Sequence, residues 1–290
     1  MKGSLLAGGL GTRLKPLTSG VNKQLLPVYD KPLIYYPLAT LMFCGIREIL
    51  VICRPEDYEV FQNILGDGSQ WGIEISLAVQ LEPKGIPEAF IIGKEFIKGH
   101  RTALILGDNI FFGHNLRAVL DVNKGKKTGA TIFVYWVTDP QRFGVVELGD
   151  GGNILSLEEK PTKPKSNYAI TGLYFYDTQV SEIASALTPS KRGELEITEL
   201  NQHYLAAGEL AAHRLERGFA WLDTGTPEAI LDASNFIATI ERRQGLKVAC
   251  LEEIAWRSGW IDDTQLSNQA GISKNSNYGA YLRSLLSMGK

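Results

Sequence analysis

Cysteine, histidine and net charge are all scarce in this chain of 290 residues, and each scarcity excludes a class of protein. The three cysteines, Cys44, Cys53 and Cys250, are odd in number and show no CxxC spacing. They argue against a disulfide framework or a zinc site and indicate a reducing compartment. The four scattered histidines offer no pair at metal-ligand spacing, so ordinary structural or surface histidines are the simpler interpretation.

The formal net charge is only −2, which leaves no overall basic field to attract nucleic acid or a membrane surface. Hydrophobic residues make up 44% and charged residues 21%, the balance of an ordinary globular protein. The apolar run near the N-terminus is too short for a signal peptide or a membrane span. We therefore expect a cytoplasmic protein that holds any anionic ligand through local cations and backbone N–H groups.

Short apolar runs alternate with helical patterns in the first half of the sequence. The continuous run 102–106 is typical of a parallel strand buried on both faces, and similar strands are expected at 4–7, 48–53 and 73–79. Helices are expected between these strands, at 30–42 and 86–97, and after the last of them, at 115–122. The alternation predicts an α/β fold, a three-layer α/β/α sandwich with a mixed, mostly parallel Rossmann-like sheet.

The pattern changes after a β-rich run at 130–137. Residues 143–148, the turn 149–152 and residues 154–157 predict a hairpin inserted over the sheet, and 169–176 returns the chain to the sheet. Helices are then expected from Val180 and Leu195, before a strand that ends at Asp223.

A long helix is expected from Pro227, with Thr226 as its N-cap and Gly245 as its C-terminal stop. The remaining residues have the pattern of short helices. We predict two parts: a core of residues 1–240 that contains the β insertion, and a helical C-terminal segment, residues 241–290, packed on the core.

A glycine-rich turn directly follows the first predicted strand. Its glycines at 8, 9 and 11 let the backbone turn tightly and bring N–H groups close to a phosphate chain. The turn lacks the Gly-Lys-Ser/Thr of a Walker A loop and the third glycine of a dinucleotide fingerprint, so alone it fits a structural turn equally well. The cations Arg13 and Lys23 favour a phosphate site, because they can hold a triphosphate and neutralise charge developing at its α-phosphorus.

Two aspartates, Asp108 and Asp223, each follow a short apolar strand. Carboxylates at strand ends project where open α/β sheets bind ligands, although an isolated aspartate at such a place is usually a turn or cap residue. Mg²⁺ needs only a few carboxylates beside phosphate oxygens and water. The pair is our candidate metal site.

Several motifs together resemble those of the sugar nucleotidyltransferases, and in particular the members that transfer a thymidylyl group. They are GGLGTRLKPLT at 8–18, KQLLP at 23–27, LGDNIF at 106–111, LEEKP at 157–161, RGELEIT at 192–198 and AWLDTG at 220–225. Such motifs extend along essentially the whole chain and are highly specific as a set. The resemblance implies the nucleotide-diphospho-sugar transferase fold.

The resemblance also implies a reaction: dTTP and α-D-glucose 1-phosphate give dTDP-glucose and pyrophosphate, with Mg²⁺ on Asp108 and Asp223 and with Arg13 and Lys23 on the transferring phosphates. The implied nucleotide-binding residues are Leu6, Gly8, Gly9, Gly11, Thr12, Gln24, Gln80 and Gly85. The implied sugar-phosphate-binding residues are Asn109, Gly144, Glu159, Lys160, Ile170 and Arg192. A homotetramer with an end-product regulatory site on the subunit surface is implied too, with the C-terminal helices involved in both.

A sugar phosphate fits a sequence without a nucleophile motif, since a phosphomonoester with a second pKa of about 6 is largely dianionic at neutral pH. Positioning and charge neutralisation are then the whole task of the protein. Lys84, Pro87 and Glu88 depart from the Asp, Ala and Gln usual in relatives, and Leu10 and Asn22 replace a small polar residue and Ser. Use of UTP or another sugar phosphate is the nearest alternative; a non-catalytic nucleotide-sugar sensor and a dinucleotide-binding oxidoreductase are more distant ones.

Overall fold

Strands form where the sequence has short, β-rich apolar runs. The computed structural model describes residues 1–121 and 125–289. In chain order the strands are β1 (Lys2–Ala7), β2 (Pro27–Val28), β3 (Lys31–Pro32), β4 (Glu48–Cys53), β5 (Glu74–Val79), β6 (Thr102–Leu106), β7 (Asn109–Gly113), β8 (Ala130–Trp136), β9 (Gly144–Leu148), β10 (Ile154–Glu159), β11 (Tyr168–Tyr176), β12 (Leu210–Leu215) and β13 (Phe219–Asp223).

The helices alternate with the strands in the first two thirds of the chain and then follow one another. They are α1 (Tyr35–Phe43), α2 (Tyr58–Leu65), α3 (Glu88–Ile92), α4 (Lys94–Ile97), α5 (Leu116–Leu120), α6 (Val180–Ala186), α7 (Ile197–Ala206), α8 (Pro227–Gln244), α9 (Leu251–Arg257), α10 (Asp263–Ile272) and α11 (Asn277–Met288). None of these described helices is both long and apolar enough to span a membrane.

Nine strands form one sheet, in the order β10-β9-β11-β6-β1-β4-β5, with β8 on the opposite edge of β11 and β12 beside β8. The pairings give seven strands one direction, whereas β10 and β11 run the other way. The sheet is therefore mixed, with most strands parallel, as predicted.

Two apolar cores lie on the two faces of this sheet. Successive residues of β6 alternate between them: Ala103 and Ile105 belong to one core, and Leu104 belongs to the other. The first core also contains buried side chains of α1, α2, α8 and the C-terminal helices, and the second contains those of α3, α4, α6 and α7. Helices on both faces of the sheet make the three-layer α/β/α sandwich that the sequence predicts.

Strand β11 connects two parts of the sheet. Its first residues, Tyr168 and Ala169, pair with β9, and its last four pair with β6 on the same edge. The predicted hairpin is confirmed as β9 and β10, but it extends the sheet sideways instead of lying over it. Between the two pairings lies Gly172, where the edge of β11 has no strand partner and a cleft opens.

Four of the expected helices differ from the structure, one of them only at its start, since α7 begins at Ile197 instead of Leu195. The helix expected at 30–42 begins at Tyr35, because residues 27–32 form the small β2–β3 hairpin. The stretch 86–97 forms two short helices, α3 and α4, with Gly93 between them. The helix expected at 115–122 spans Leu116–Leu120, and residue 122 lies outside the described residues.

The C-terminal helices pack on the first core. Helix α8 has the predicted ends, since Thr226 Oγ1 accepts a hydrogen bond from the Ala229 N–H and Gly245 ends the helix with a φ of 70°. Helix α8 continues four residues past 240. Among the later helices, α9 is tied to the core by Trp71, whose Nε1 donates to Glu252 Oε1 at 3.1 Å.

Candidate active site

The glycine-rich turn after β1 is shaped by close approaches of side chains to its backbone. A Cβ built on Gly8 would lie 2.1 Å from Oε1 of Gln80, so a larger residue does not fit unless that amide moves. Gly11 has a φ of 59°, and a Cβ there would lie 2.9 Å from the methyl carbon of Thr18. The following 3-10 turn, Thr12–Leu14, places Arg13 in the lining of the cleft.

Asp108 lies at the edge of the sheet where the glycine-rich turn also lies, because β1 and β6 are parallel neighbours. Lys23 forms an ion pair with its carboxylate, and Asn109 Nδ2 donates to its Oδ1 at 2.8 Å. The backbone N–H and the hydroxyl of Thr224 donate to the Asp108 carbonyl oxygen at 3.1 and 2.8 Å. Both the side chain and the backbone of Asp108 are therefore held in place.

Asp223 is brought to Asp108 by the pairing of β7 with β13. The two strands are antiparallel, and Asp223 lies opposite Asn109 in their register. The Trp221 Nε1 donates to Asn109 Oδ1 at 2.6 Å, which ties the two strands together through a side chain as well. Arg142 Nη2 lies 3.6 Å from Asp223 Oδ2. The two candidate metal ligands thus share one site.

The two carboxyl groups have opposite shifts in pKa. Burial raises the pKa of Asp223, and the charge of Asp108 raises it further, which the cations Lys23, Arg13 and Arg142 do not fully offset. Burial also raises the pKa of Asp108, but the charge and hydrogen bond of Lys23, with the bond from Asn109, outweigh it and hold the pKa below its ordinary value. The pair therefore concentrates negative charge that a cation would neutralise.

Mg²⁺ suits this pair of aspartates. Within residues 1–121 and 125–289, no cluster of three His, Cys, Asp or Glu side chains is arranged to hold a metal ion. Two carboxylates are enough for Mg²⁺, because it usually keeps several waters and takes further oxygens from substrate phosphates. The like-charge effect of Asp108 on Asp223 is the observation that fits a divalent cation between them.

A cavity of about 190 Å³ opens beside the glycine-rich turn. Its lining includes five of the residues predicted to bind the nucleotide: Leu6, Gly8, Gly9, Gln80 and Gly85. The loop that carries Gly85 is fixed against the chain before α7, where a Cβ built on Gly85 would lie 2.0 Å from the Leu195 carbonyl oxygen. Gly85 also has a φ of 107°, so both its space and its backbone conformation require glycine.

Gln24 is buried behind this turn. Its backbone N–H donates to Asn22 Oδ1 at 2.8 Å, and its side chain crosses Gly107, where a Cβ would lie 2.8 Å from its Cγ. The Gln24 Oε1 is buried and has no hydrogen-bond partner among the described residues. A buried carbonyl oxygen without a donor is costly, so Gln24 leaves an unsatisfied acceptor behind the turn.

A larger cleft of about 500 Å³ adjoins this cavity. Ile86, Glu159, Lys160 and Ile197 line both, so the two spaces are continuous. The larger cleft is lined by both aspartates and by residues predicted to act in catalysis or to bind the sugar phosphate: Arg13, Asn109, Gly144, Glu159, Lys160 and Ile170. The predicted Arg192 lines the smaller cavity.

Glu159 is the centre of a polar cluster in the larger cleft. Thr198 Oγ1 donates to its Oε2 at 2.5 Å, and Arg192 Nη2 and Lys160 Nζ lie 3.3 and 3.6 Å from its Oε1. Gly144 leaves room for this cluster, since a Cβ there would lie 3.2 Å from Thr198 Oγ1. The cluster offers one acceptor and two cations, a set that suits sugar hydroxyls beside a phosphate.

Four predicted residues do not line either of these two spaces: Gly11, Thr12, Lys23 and Gln24. Lys23 is connected to the cleft by its ion pair with Asp108, and its side chain is 8% exposed. Conversely, the sequence interpretation missed three residues: Thr198, which contacts Glu159; Arg142, which contacts Asp223; and Thr224, which contacts Asp108. The motifs around 198 and 224 contained the signal, but only the fold shows which of their side chains face the carboxylates.

A family model described as "Nucleotidyl transferase" matches residues 2–240. A glucose-1-phosphate thymidylyltransferase of Xanthomonas campestris pv. campestris (strain B100) is 55% identical over 288 residues, which are 99% of this chain and 98% of that protein. The enzyme of the same name from Mycobacterium tuberculosis (strain ATCC 25618 / H37Rv) is 57% identical over 286 residues, 99% of either chain.

Solved structures share the fold. A crystal structure from Bacillus anthracis, described as a glucose-1-phosphate thymidylyltransferase in complex with a sucrose, superposes with a TM-score of 0.76 at 39% identity, and the match covers 81% of this chain and 94% of that one. A UDP-glucose pyrophosphorylase complexed with UDP-glucose gives a TM-score of 0.71 at 25% identity, with 84% and 100% covered.

Proposed function

The chain belongs to the nucleotidyl transferase family and, within it, to the glucose-1-phosphate thymidylyltransferases, and on this premise we propose how its cleft performs the transfer. The phosphate of α-D-glucose 1-phosphate attacks the α-phosphorus of dTTP, which gives dTDP-glucose and releases pyrophosphate. The observation that carries the proposal is the continuous cleft, in which the paired aspartates with the cations Arg13 and Arg142 adjoin a glycine-lined cavity on one side and the Glu159 cluster on the other.

The smaller cavity is our candidate for the base and the start of the nucleotide. Glycines at 8, 9 and 85 bring backbone close to a flat ligand, and Gln80 adds an amide at its wall. Gln24 lies behind this cavity, where its side chain packs against Gly107, so its proposed contribution is to support the turn from below. Gly11 and Thr12 contribute by setting the course of the turn that carries Arg13.

The larger cleft is our candidate for glucose 1-phosphate. Glu159 accepts from sugar hydroxyls there, while Lys160 and Arg192, which both approach this carboxylate, hold the phosphate. Asn109, Gly144 and Ile170 line the same space. Lys160 and Arg192 both line the smaller cavity, so the phosphate of the sugar phosphate would face the nucleotide.

The chemistry needs no general base, because the attacking phosphate already carries its negative charge. Lys23 and Arg13 neutralise charge that develops at the transferring phosphorus, and the continuous cleft holds both anionic partners in line. Mg²⁺, held by Asp108 and Asp223, supplies electrostatic stabilisation of the phosphate oxygens when bound. Asn109 and Thr224 keep Asp108 oriented for this task.

The C-terminal segment, residues 241–290, is the proposed regulatory and assembly part of a homotetramer. A third cavity, of about 400 Å³, lies between α1, β7 and α9, and the cations Lys247 and Arg257 line it beside Tyr36 and Phe112. Aromatic rings can stack on the base of a nucleoside diphosphate sugar and cations can pair with its diphosphate. We therefore propose that the end product binds in this cavity and inhibits the enzyme. A cytoplasmic enzyme is consistent with the absence of a disulfide among its three cysteines, all of which lie in described residues.

Pyrophosphate release tests the proposal. Glucose 1-phosphate and Mg²⁺ are incubated with dTTP, UTP, CTP or ATP, and we expect release with dTTP that disappears in Asp108→Ala. Comparable rates with UTP would mean that the base loop around Lys84 does not select the methyl group. If the protein binds nucleotide sugars but releases no pyrophosphate with any of the four triphosphates, the result would contradict a transferase and favour a sensor.

A further inference from the structure

Glu88 lies directly against the amide of Gln80. It is the first residue of α3, and its Oε2 accepts a hydrogen bond from Gln80 Nε2 at 2.6 Å. The same oxygen accepts from the backbone N–H of Lys84 at 3.0 Å. Gln80 is only 3% exposed, so its amide has little room to turn without losing this partner.

The chemistry of the contact determines which end of the amide faces the cavity. A carboxylate can only accept, so the NH₂ group of Gln80 must point at Glu88 and its carbonyl oxygen must point away. The Oε1 lies over Gly8, 2.1 Å from where a Cβ would stand, at the wall of the smaller cavity. Gln80 therefore presents a hydrogen-bond acceptor to the cavity at this position.

We propose that Glu88 is a positioning residue that sets the base selectivity of the enzyme. By fixing the Gln80 oxygen toward the cavity, it favours bases with an N–H at ring position 3, as in thymine and uracil. Cytosine presents an acceptor there, so two lone pairs would face each other. The inference rests on the proposed function, in that the smaller cavity receives the base.

The discrimination concerns the imide group and is independent of the charge of Lys84. The Lys84 side chain is 61% exposed, and its Nζ lies 3.3 Å from Glu82 Oε2 on the outside of the loop. Lys84 takes part in the Glu88 contact through its backbone N–H. Substitutions of the Lys84 side chain therefore leave the orientation of the Gln80 amide unchanged.

The test compares kcat/KM for dTTP and dCTP in wild type, Glu88→Met and Glu88→Gln. Met fills similar space without an acceptor, so the Gln80 amide can turn, and we expect the dTTP preference to fall at least tenfold. In Glu88→Gln the new side chain keeps an oxygen that can accept from both donors, so we expect the dTTP preference of this variant to stay within threefold of wild type. Glu82→Gln is the matched control, because it removes a charge from the same loop without contacting Gln80.

A preference that stays within threefold of wild type in Glu88→Met would overturn the proposal, and so would an equal loss in Glu88→Gln, since charge would then be the cause. Calorimetric binding of dTDP and dCDP gives the same ratio without turnover, and thermal unfolding shows whether each variant is folded. If wild type releases no pyrophosphate with dTTP or UTP, the proposed function itself fails, which is a different result from an active enzyme with unchanged selectivity.

Discussion

Lys23 forms an ion pair with the carboxylate of Asp108, a residue 85 positions later in the chain. The contact joins the 3-10 turn Lys23–Leu25, just before β2, to the loop between β6 and β7, and it places a cation beside the paired aspartates. The sugar phosphate and the triphosphate would meet at this point, so the Lys23 charge is positioned to act on the reacting groups.

Lys23→Met should lower kcat by roughly 100- to 1000-fold, the usual cost of losing one preorganised group that stabilises transition-state charge. Steady-state pyrophosphate release at saturating dTTP and glucose 1-phosphate measures it. Lys15→Met is the control, because Lys15 is an exposed lysine of the same loop. Equal activity of the two variants would show that Lys23 has no catalytic role.

Gly8→Ala should raise the KM for dTTP about tenfold or more. The added Cβ would lie 2.1 Å from Gln80 Oε1 and would push the amide out of place, whereas the sugar side of the cleft is untouched. Separate titrations of dTTP and glucose 1-phosphate measure the two KM values. Gly20→Ala is the control, since a Cβ there meets nothing within 4 Å; a KM for dTTP that matched the control would contradict the expected crowding.

Thr198→Val should raise the KM for glucose 1-phosphate by about fivefold to tenfold and leave the KM for dTTP nearly unchanged. The substitution keeps the shape but removes the hydroxyl that donates to Glu159 at 2.5 Å, a bond to a charged group worth about 1.5–3 kcal/mol. Thr239→Val, on the exposed side of α8, is the control. An equal rise in both KM values would point to general damage to the cleft.

Asp30→Asn should lower the free energy of unfolding by about 1–3 kcal/mol at neutral pH, less than for a fully buried ion pair because the Asp30 side chain is 20% exposed. Asp30 contacts Lys31 and Lys247, and these link the β2–β3 hairpin to the residues after α8. Burial raises the pKa of Asp30, but the charges and hydrogen bonds of the two lysines outweigh it and lower the pKa below 3.8.

Because the pKa is lowered on folding, the ionised Asp30 carboxyl stabilises the fold fully above pH 3.8, its ordinary pKa. This contribution is lost as the pH falls through the lower pKa of the folded state. The difference between Asp30→Asn and wild type should therefore shrink toward acid pH. Urea unfolding at several pH values measures it, with Asp232→Asn on the exposed face of α8 as the control. A pH-independent difference would contradict the assigned ion pairs.

Much of the fold could be predicted because its central strands are locally encoded. The runs 48–53 and 102–106 have the predicted bounds, since a strand buried on both faces must be apolar throughout. Asp108 and Asp223 could be placed at strand ends for the same reason. The two aspartates lie close together only because β7 pairs with β13. The sequence did not predict β7 as a strand, so it could not predict this pairing.

The errors arise where distant contacts decide the local structure. Pro32 in an apolar stretch indicates a helix start, yet Lys31 is held in the β2–β3 hairpin by an ion pair with Glu241, 210 residues away. Thr198 was missed as a site residue for a similar reason, because the carboxylate that it contacts, on Glu159, lies 39 residues earlier in the chain. No local pattern can show such partners.

The pairing of β11 has a consequence for how sugar choice can change among related enzymes. Among the described strands, β11 alone pairs the β9–β10 hairpin with the rest of the sheet, and the hairpin carries Gly144 and Glu159. Most of the residues proposed to bind the nucleotide lie at the end of β1 and on the loops after β1 and β5, on the other part of the sheet. Changes in the hairpin can therefore alter the proposed contacts of Gly144 and Glu159 with the sugar while the pairing of β1, β4 and β5 stays intact.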